Sequence, residues 1–447
     1  MRRALAGFAV LALAACATVP PPLPGLGPAP GPALPVTAGD VTLERVGAVD
    51  VLIRRWPGAE LVTMTLAIRG GVQNVDERTQ GVELLGLRTA ASGGTASLDK
   101  QAFSKRLSQL GCTLEAAAAP DYSRLEAKSL RADYEATLAL LLDVFLHPAL
   151  TNSELELQRE RLLQELRSER ENPDDALEAL SQQLLFAGTA YANRPQGTPA
   201  SLEALSSEEV RRHLAGLRAQ NRLLLVVVGD VQPQEVLERL RPALSALPEG
   251  QPLPPLPLPL HFPEARLREQ TRALPTTYLL ASFAGPSWRS AEFATARLAA
   301  SVLSARAFLE VRSRRNLSYA PDVRLSTNRV QSFGGLYVSA VDAQQALSVM
   351  QQVVRELAEV PLSEAELAAS RASFLVDFYL GEETTDGAAH RLVEAQLLGG
   401  DFRLAQTLPA RTRATTPLDV QAFVRTYVRN YQVAVVGPSH VSLSVLR

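Results

Sequence analysis

An arginine and a tyrosine seven residues apart are the side chains of this sequence whose types and spacing best suit catalysis. They are Arg312 and Tyr319, in the segment AFLEVRSRRNLSYAPDV. Arginine is always charged and presents a planar fork of N–H groups that can bind carbonyl or carboxylate oxygens. A tyrosine hydroxyl can donate a hydrogen bond to an oxyanion that develops during acyl transfer. The pair could therefore hold and polarise a carbonyl group, and the alternative is a salt bridge at a helix end and an aromatic core residue at the start of a strand.

The segment GVELLGLRTAASGGT, residues 81–95, has the outline of a zinc-binding helix without its ligands. Such a helix needs two histidines at i and i+4 on one face, with a glutamate between them to activate water. The corresponding positions hold Leu84, Leu87 and Arg88, and neither leucine nor arginine can bind a divalent cation. No two of the five histidines are close enough in sequence to share a helix face: His147, His213, His261, His390 and His440. The sequence therefore predicts no metal and no cofactor in this chain, with the histidines in surface or capping positions.

Length and composition are those of a soluble globular protein with more than one domain. The chain has 447 residues, 46% of them hydrophobic and 21% charged. Because one hydrophobic core rarely serves more than about 250–300 residues, we expect about two or three domains. A net charge of −2 gives no basic surface, so nucleic acid is not an expected partner. Cys112 has no possible intramolecular partner in the mature chain inferred below, so hydrophobic cores alone must hold the fold.

The N-terminus predicts where the protein resides. Arg2 and Arg3 precede a short apolar run and small residues before Cys16, which is the pattern of a secretory signal and not of a membrane span. The sequence Leu-Ala-Ala-Cys resembles the bacterial lipoprotein box, whose cysteine is lipidated and becomes the mature N-terminus; a plain signal peptide is the alternative. Residues 17–39 are rich in proline and glycine and are expected to form an extended tether. We therefore expect a lipid-anchored cell-envelope protein, with Ala17 favouring the outer membrane, facing the periplasm.

The rest of the chain has two similar halves. A proline-rich stretch at 251–263 separates them, and its alternating prolines exclude a central strand or a helix. Each half ends in an amphipathic helix followed by a buried strand and a glycine turn, NRLLLVVVGDV in one and NYQVAVVGPS in the other. A strand and two helices also recur in the same order, about 212 residues apart. We predict an α+β fold of two homologous sandwich domains, residues 40–250 and 264–447, joined by the linker 251–263.

From about residue 40 to 447 the sequence resembles the insulinase-like (pitrilysin-type) zinc metallopeptidase family, specifically its bacterial short-subunit branch related to mitochondrial processing peptidase. The resemblance rests on the GVxxL…GGT frame at 81–95, ERLLQELRSERENPDD at 160–175, AYANRPQGTPASLEAL at 190–205 and VRxxxxLSYA at 311–320. In that family two subunits or domains close like a clam shell around a peptide. One side supplies H-x-x-E-H and a distal glutamate for zinc, and the opposite side supplies an arginine and a tyrosine that hold the substrate backbone.

The resemblance implies roles for individual residues. Arg312 and Tyr319 match the substrate-holding pair in type and separation. Glu165 matches the distal zinc ligand but stands without the two histidines, so a solvated or salt-bridged surface position is the favoured alternative. Asn316 occupies the place of a usual glycine between helix and strand, and asparagine tolerates the left-handed conformation required there.

The leading interpretation is a non-zinc subunit of a heterodimeric envelope zinc metallopeptidase, in which Arg312 and Tyr319 complete a partner's active site. The partner would be a paralogue that carries an intact H-x-x-E-H and holds the zinc. A second hypothesis is a non-catalytic peptide-binding or scaffold protein that keeps only the fold. A third is an independent peptidase, which neither a nucleophile with a base nor a metal cluster in the sequence supports.

Overall fold

Two mixed β-sheets and the helices that cover them form the part of the chain that the computed structural model describes, residues 40–446. The strands are β1 (Val41–Val46), β2 (Val49–Arg55), β3 (Leu61–Arg69), β4 (Thr113–Ala118), β5 (Tyr122–Leu130), β6 (Leu223–Gly229), β7 (Arg266–Thr271), β8 (Thr277–Ala284), β9 (Asp322–Thr327), β10 (Ser332–Ala340) and β11 (Gln432–Gly437). None of the helices in residues 40–446 is long and apolar enough to cross a membrane.

The α-helices alternate with these strands along the chain. They are α1 (Val82–Gly93), α2 (Lys100–Gln109), α3 (Tyr134–Leu146), α4 (Asn152–Glu171), α5 (Pro173–Leu185), α6 (Pro199–Ala204), α7 (Ser207–Leu217), α8 (Pro233–Ser245), α9 (Phe293–Ala307), α10 (Ala343–Glu359), α11 (Glu364–Leu380), α12 (Thr385–Glu394), α13 (Arg403–Ala414) and α14 (Pro417–Tyr427). A π-helical turn, Phe308–Ser313, continues α9.

The two sheets share one topology. The first has the spatial order β1-β2-β6-β3-β5-β4 and the second has the order β7-β11-β8-β10-β9. In each sheet the last strand in the sequence lies between two earlier ones. Strand β6 is parallel to β2 and antiparallel to β3, and β11 is parallel to β7 and antiparallel to β8. The prediction of a duplicated α+β fold is therefore confirmed, with β1 as an addition to the first sheet.

The local sequence explains the burial of strand β6 and the positions where helices α4 and α1 begin. All seven residues of β6, LLLVVVG, are buried, as expected for a strand with neighbours on both edges and packed faces. Helix α4 begins after Thr151, whose side chain accepts a hydrogen bond from the backbone N–H of Glu154. Helix α1 follows Gly81, which has a left-handed φ of 88°. A Cβ at Gly81 would lie 2.9 Å from the carbonyl oxygen of Gln196, so only glycine fits there.

The first half of the chain covers the second sheet with one of its helices. Helix α5 packs against β8 and β11. Its Leu177 is fully buried in a cluster with Leu280, Tyr337, Ala434 and Val436. The opposite face of the second sheet packs against α9 and α10.

The second half returns a helix to the first sheet. Helix α12 packs against β3 and β6. The hydroxyls of Thr63 and Thr385 lie 2.8 Å apart, and Lys128 Nζ donates to Asp386 Oδ1 at 2.6 Å. The two corresponding helices are thus exchanged: α5 of the first half covers the second sheet, and α12 of the second half covers the first sheet. No sequence pattern indicates this exchange.

The proline-rich segment runs along the surface between the halves. Residues 251–262 form neither helix nor strand, and Leu258 is 87% exposed. Leu260 donates its backbone N–H to Gln331 Oε1 at 2.7 Å, and Asn221 Nδ2 donates to the carbonyl of Gln251 at the same distance. Because the exchanged helices join the described residues into one compact unit, the domain boundaries on either side of this segment stay a prediction.

Candidate functional site

The positions where a zinc helix would carry its ligands are occupied by core residues. Leu84 and Leu87 on α1 are only 3% and 2% exposed. Leu84 packs in a cluster with Leu155 and Leu162 of α4, while Leu87 belongs to the main core of the first half. Both side chains therefore stabilise the contact of α1 with its surroundings through apolar burial.

The third position forms an ion pair with the predicted distal ligand. Arg88 Nη1 lies 2.7 Å and 2.8 Å from the two carboxylate oxygens of Glu165. The structure thus brings α1 and α4 together at two positions that the family resemblance assigns to metal ligands, and an ion pair joins them there. Two buried leucines and a paired arginine do not fit a zinc ion, because none of them offers a lone pair to it.

A polar network beside this pair was not predicted from the sequence. Glu154 on α4 is 3% exposed and accepts hydrogen bonds from Ser92 Oγ at 2.7 Å, from Gln158 Nε2 at 3.0 Å and from Lys100 Nζ. Burial alone would raise the pKa of Glu154, but these three donors outweigh burial and lower it. The network fixes α1, α2 and α4 against one another.

Four of the five histidines lie beside acidic side chains, and the fifth, His261, is exposed. His213 Nε2 lies 3.2 Å from Glu83 Oε2, a carboxylate that is 4% exposed and also accepts from Asn74 Nδ2 at 3.3 Å. Three others lie next to a single acidic side chain each, as His147 with Asp143, His390 with Glu394 and His440 with Glu269. In residues 40–446 no group of three or more histidine, cysteine, aspartate or glutamate side chains could hold a metal ion.

Arg312 and Tyr319 lie in direct contact at the surface. The guanidinium carbon of Arg312 is 3.9 Å from the centroid of the Tyr319 ring, within cation–π distance. The same carbon is 4.9 Å from the ring centroid of Phe308. Arg312 is half-buried, whereas Tyr319 is 78% exposed. The structure therefore brings together the two residues that the sequence singled out, in a position open to a ligand.

Two backbone features place these side chains. The π-helical turn Phe308–Ser313 ends α9 and carries Phe308 and Arg312 at i and i+4. Asn316 then adopts a φ of 49°, the left-handed conformation predicted for it, and turns the chain back. Ser318 pairs with Ala340 in an isolated β-bridge, and its Oγ donates to the carbonyl of Ser339 at 2.7 Å. Tyr319 is thus anchored through its neighbour to β10.

Phe308 is the site residue that sequence reasoning missed. It is 44% exposed, which is high for phenylalanine, and its ring contacts Arg312. The available signal was the i, i+4 spacing of an aromatic and an arginine on one helix. The adjacent Arg314 and Arg315 both bind Glu310 and are therefore paired surface charges.

Some predicted residues and roles remain without a structural test. Cys16 and the tether at 17–39 lie outside the described residues. Cys112 is a half-buried free thiol, and burial raises its pKa. The assignment of Arg312 and Tyr319 to substrate, and of Glu165 to a former metal ligand, stays a prediction.

Two family models match the chain in succession. The model described as Insulinase (Peptidase family M16) matches residues 50–198, and the model described as Peptidase M16 inactive domain matches residues 204–374. Together they cover most strands of both sheets but not β1 or β11, and the second includes Arg312 and Tyr319.

Three curated relatives with different descriptions are similar to this chain at low sequence identity over long segments. A Streptomyces coelicolor protein described as an uncharacterized zinc protease is 23% identical over 350 residues, covering 75% of this chain and 76% of its own. The non-peptidase homolog YmxG of Helicobacter pylori is 22% identical over 334 residues, covering 73% and 77%. Subunit 1 of the human mitochondrial cytochrome b-c1 complex is 23% identical over 204 residues, covering 45% and 42%.

A solved structure has the same fold. The peptidase M16 inactive domain from Pseudomonas fluorescens superposes with a TM-score of 0.82 at 17% identity, covering 90% of this chain and 99% of its own. The two matched models and the duplicated sheets lead to one conclusion: this chain belongs to the insulinase (peptidase M16) family.

Proposed function

We propose that this protein is the non-zinc subunit of a heterodimeric zinc metallopeptidase of the cell envelope. The contact between Arg312 and Tyr319 carries the proposal, because it keeps a guanidinium and an exposed tyrosine hydroxyl adjacent at the surface. The partner is a paralogue with an intact H-x-x-E-H motif, and it holds the zinc. The Arg88–Glu165 pair explains why the partner, and not this chain, must do so.

The two side chains have complementary tasks in that complex. The N–H groups of Arg312 bind oxygens of a peptide and fix its position across the interface. The Tyr319 hydroxyl donates a hydrogen bond to the oxyanion that forms when water attacks the scissile carbonyl. The partner's zinc supplies the activated water. Catalysis then requires both chains, since neither holds the complete set of groups.

Similar proteins support assembly with another chain. Cytochrome b-c1 subunit 1 is, by its name, one subunit of a larger complex. The similarity to a non-peptidase homologue favours the second candidate, a peptide-binding or scaffold protein without a role in proteolysis. The two candidates differ in whether Arg312 and Tyr319 affect turnover.

The proposed location follows from the N-terminal sequence. Lipidated Cys16 would anchor the mature chain, and the tether at 17–39 would hold the folded body at the periplasmic side of the outer membrane. A peptide substrate would then be an envelope or imported polypeptide that is unfolded enough to enter between two chains.

Reconstitution tests the proposal. The full-length mature chain and its H-x-x-E-H paralogue would be purified separately, mixed, and assayed for cleavage of unstructured peptides, with complex formation followed by gel filtration. We expect a stable mixed complex that cleaves at a rate neither chain reaches alone. A complex whose activity equals that of the paralogue alone would favour the scaffold role, and failure to form any complex would reject the subunit role.

A further inference from the structure

The proline-rich linker has a backbone conformation that its covalent structure fixes. From residue 251 to 259 every residue is a proline or directly precedes one, in the sequence QPLPPLPLP. The pyrrolidine ring holds φ of each proline at about −65°, and it excludes the helical conformation for the residue before it. The regular conformation that satisfies both restrictions over nine residues is the polyproline II helix. The structure agrees, because residues 251–259 form neither α-helix nor strand.

Hydrogen bonds at both ends hold this segment against the folded body. Asn221 Nδ2 donates to the carbonyl of Gln251 at 2.7 Å, and the N–H of Leu260 donates to Gln331 Oε1 at 2.7 Å. Between these ends, no hydrogen bond from residues 40–446 reaches the backbone of residues 252–259. Within the described chain their carbonyl oxygens are therefore open acceptors, on a segment whose direction is already fixed.

One face of the polyproline II helix points into solvent. With three residues per turn, every third side chain lies on the same face. Pro252, Pro255 and Leu258 share such a face, and all three are exposed. Leu258 is 87% exposed, the largest fraction among the exposed large hydrophobic side chains of residues 40–446. At about 3.1 Å per residue, these three positions form an apolar ridge about 19 Å long.

A spacer alone does not require this composition. Residues 251–260 contain no charged side chain, although the segment runs along the surface. Polar linkers can span a gap equally well, whereas a contiguous exposed apolar surface marks an interaction site. The tetrapeptide Pro-Pro-Leu-Pro at 254–257 also recurs at 21–24 in the predicted tether, outside the described residues. The same short sequence is therefore present twice in one chain.

The chemistry of the ridge indicates its partner. Grooves lined by aromatic rings bind polyproline II segments, and tyrosine or tryptophan side chains in such grooves can donate hydrogen bonds to free carbonyls. Because the segment is already formed, binding costs little conformational entropy. The described part of a second copy of this chain offers no such groove. Its exposed aromatic side chains are Phe308 and Tyr319, and both stack on Arg312.

We propose that residues 252–259 dock into an aromatic-lined groove of a separate protein domain. The ridge formed by Pro252, Pro255 and Leu258 enters the groove, and the open carbonyls accept hydrogen bonds from its rim. This docking surface does not depend on Arg312, on Tyr319 or on proteolysis. It adds to the proposed function a means of binding a further protein.

A binding probe tests whether the folded chain presents the ridge. The probe is a purified WW domain that binds peptides containing Pro-Pro-Leu-Pro. The mature full-length chain carries Pro21→Ala, Pro22→Ala and Pro24→Ala, so that only the copy in the linker remains. We expect its Kd for the probe to lie within about fivefold of that of the free peptide of residues 250–260. Weaker binding by the chain would mean that the folded body covers the recognised face, and would overturn the inference.

Variants assign the binding to the ridge. Pro255→Ala and Leu258→Ser should each weaken binding of the probe at least about tenfold, which corresponds to about 1.4 kcal/mol. The matched controls are Pro361→Ala, at an exposed proline outside the linker, and Leu418→Ser, at a leucine that is 65% exposed. Both controls should keep the unmodified Kd. Equal Kd values for the ridge variants and the controls would contradict the assignment, and melting temperatures confirm that each variant is folded.

Photo-crosslinking in cells tests whether a partner uses the ridge. A benzophenone side chain replaces Leu258 in one strain and Leu418 in the control strain. We expect an adduct with another protein only at position 258, attached within an aromatic-lined groove as located by mass spectrometry. The purified partner should then distinguish the ridge variants from their controls as the WW domain does.

Three outcomes of the crosslinking would overturn the inference. They are the absence of an adduct specific to position 258, an adduct with a second copy of this chain, and attachment to a surface without aromatic side chains. None of them affects turnover by the mixed complex, which tests the proposed function separately.

Discussion

Arg88 and Glu165 are joined by two hydrogen bonds from one guanidinium nitrogen, at 2.7 Å and 2.8 Å. The family resemblance assigns these two positions to the second histidine and the distal glutamate of a zinc site. The pair keeps the connection between α1 and α4 without a metal. Because the two side chains are 29% and 50% exposed, its contribution to stability is modest, on the order of 0.2–1 kcal/mol.

The purified chain should contain no stoichiometric zinc and should cleave no unstructured peptide. The reason is that Leu84 and Leu87 are buried hydrocarbons and Glu165 is paired with Arg88. Arg88→His should not change this result, since a zinc site usually needs three protein ligands and only two would be present. Elemental analysis after dialysis measures the metal, with the H-x-x-E-H paralogue as the positive control. One zinc per chain together with chelator-sensitive cleavage would contradict the prediction.

Tyr319→Phe should lower kcat of the mixed complex while leaving its assembly intact. Loss of one oxyanion donor costs on the order of 10²–10³ in kcat, about 3–4 kcal/mol, and phenylalanine keeps the ring that stacks on Arg312. Arg312→Lys should also be impaired because lysine lacks the planar fork. Peptide cleavage and gel filtration measure the two effects. Unchanged rates in both assembled variants would reject the catalytic role and favour the scaffold.

Cys16→Ser should release the protein from the membrane fraction or leave its precursor uncut. The thiol is the group in the predicted lipoprotein box that would carry the lipid, and residues 17–39 contain no further cysteine. Fractionation of cells and the mass of the mature chain provide the measurement. Cys112→Ser is the matched control and should leave the location unchanged. An unaltered membrane fraction and mature mass in Cys16→Ser would exclude lipidation.

Leu177→Ala should destabilise the whole described body by about 2–5 kcal/mol, the usual range for a buried leucine. Leu177 belongs to α5 in the first half but is fully buried against Leu280 and Tyr337 in the second. Denaturant unfolding should therefore show one shifted transition. The control is Leu418→Ala, a helical leucine that is 65% exposed and should change stability by less than about 0.5 kcal/mol. Selective loss of only one half would contradict the exchange.

The Lys128–Asp386 contact should add a small acid-sensitive component to stability. The hydrogen bond from Lys128 lowers the pKa of Asp386 below its ordinary value of 3.8. The unfolded chain therefore takes up a proton before the folded one does, so the contribution is complete at neutral pH and is lost as the pH falls below about 4. Because both groups are partly exposed, it should not exceed about 1 kcal/mol. Urea unfolding at pH 7 and pH 3 compares Asp386→Asn with the exposed control Glu249→Gln, and an equal pH dependence in both would contradict the assignment.

The duplicated architecture could be predicted because its signals are local. A buried run such as LLLVVVG at 223–229 and its counterpart near the C-terminus have the composition of central strands, and both are central. The exchange of α5 and α12 could not be predicted in the same way. Apolar positions show which face of a helix is buried, but they do not say which of two similar sheets will bury it.

The candidate site was predictable in its members and not in its geometry. The spacing of Arg312 and Tyr319 singled them out, and the left-handed turn at Asn316 was expected from its residue type. The contact with Phe308 depends on a π-helical turn, for which no propensity signal exists in the sequence. The sequence favours a solvated or salt-bridged surface position for Glu165, but its partner Arg88 follows only from the packing of α1 on α4.

The helix exchange also governs when the protein can fold during its synthesis. Ala388 and Ala389 of α12 share a core with Leu52, Ala67 and Leu224 of the first sheet. The last strand of this sheet, β6, ends at Gly229, whereas α12 begins only at Thr385. The nascent chain therefore carries an unshielded apolar surface during roughly a third of translation. Contacts between such distant segments make folding slow and expose intermediates to aggregation. A chaperone that holds the growing chain, or export of the chain in an unfolded state, would remove that hazard.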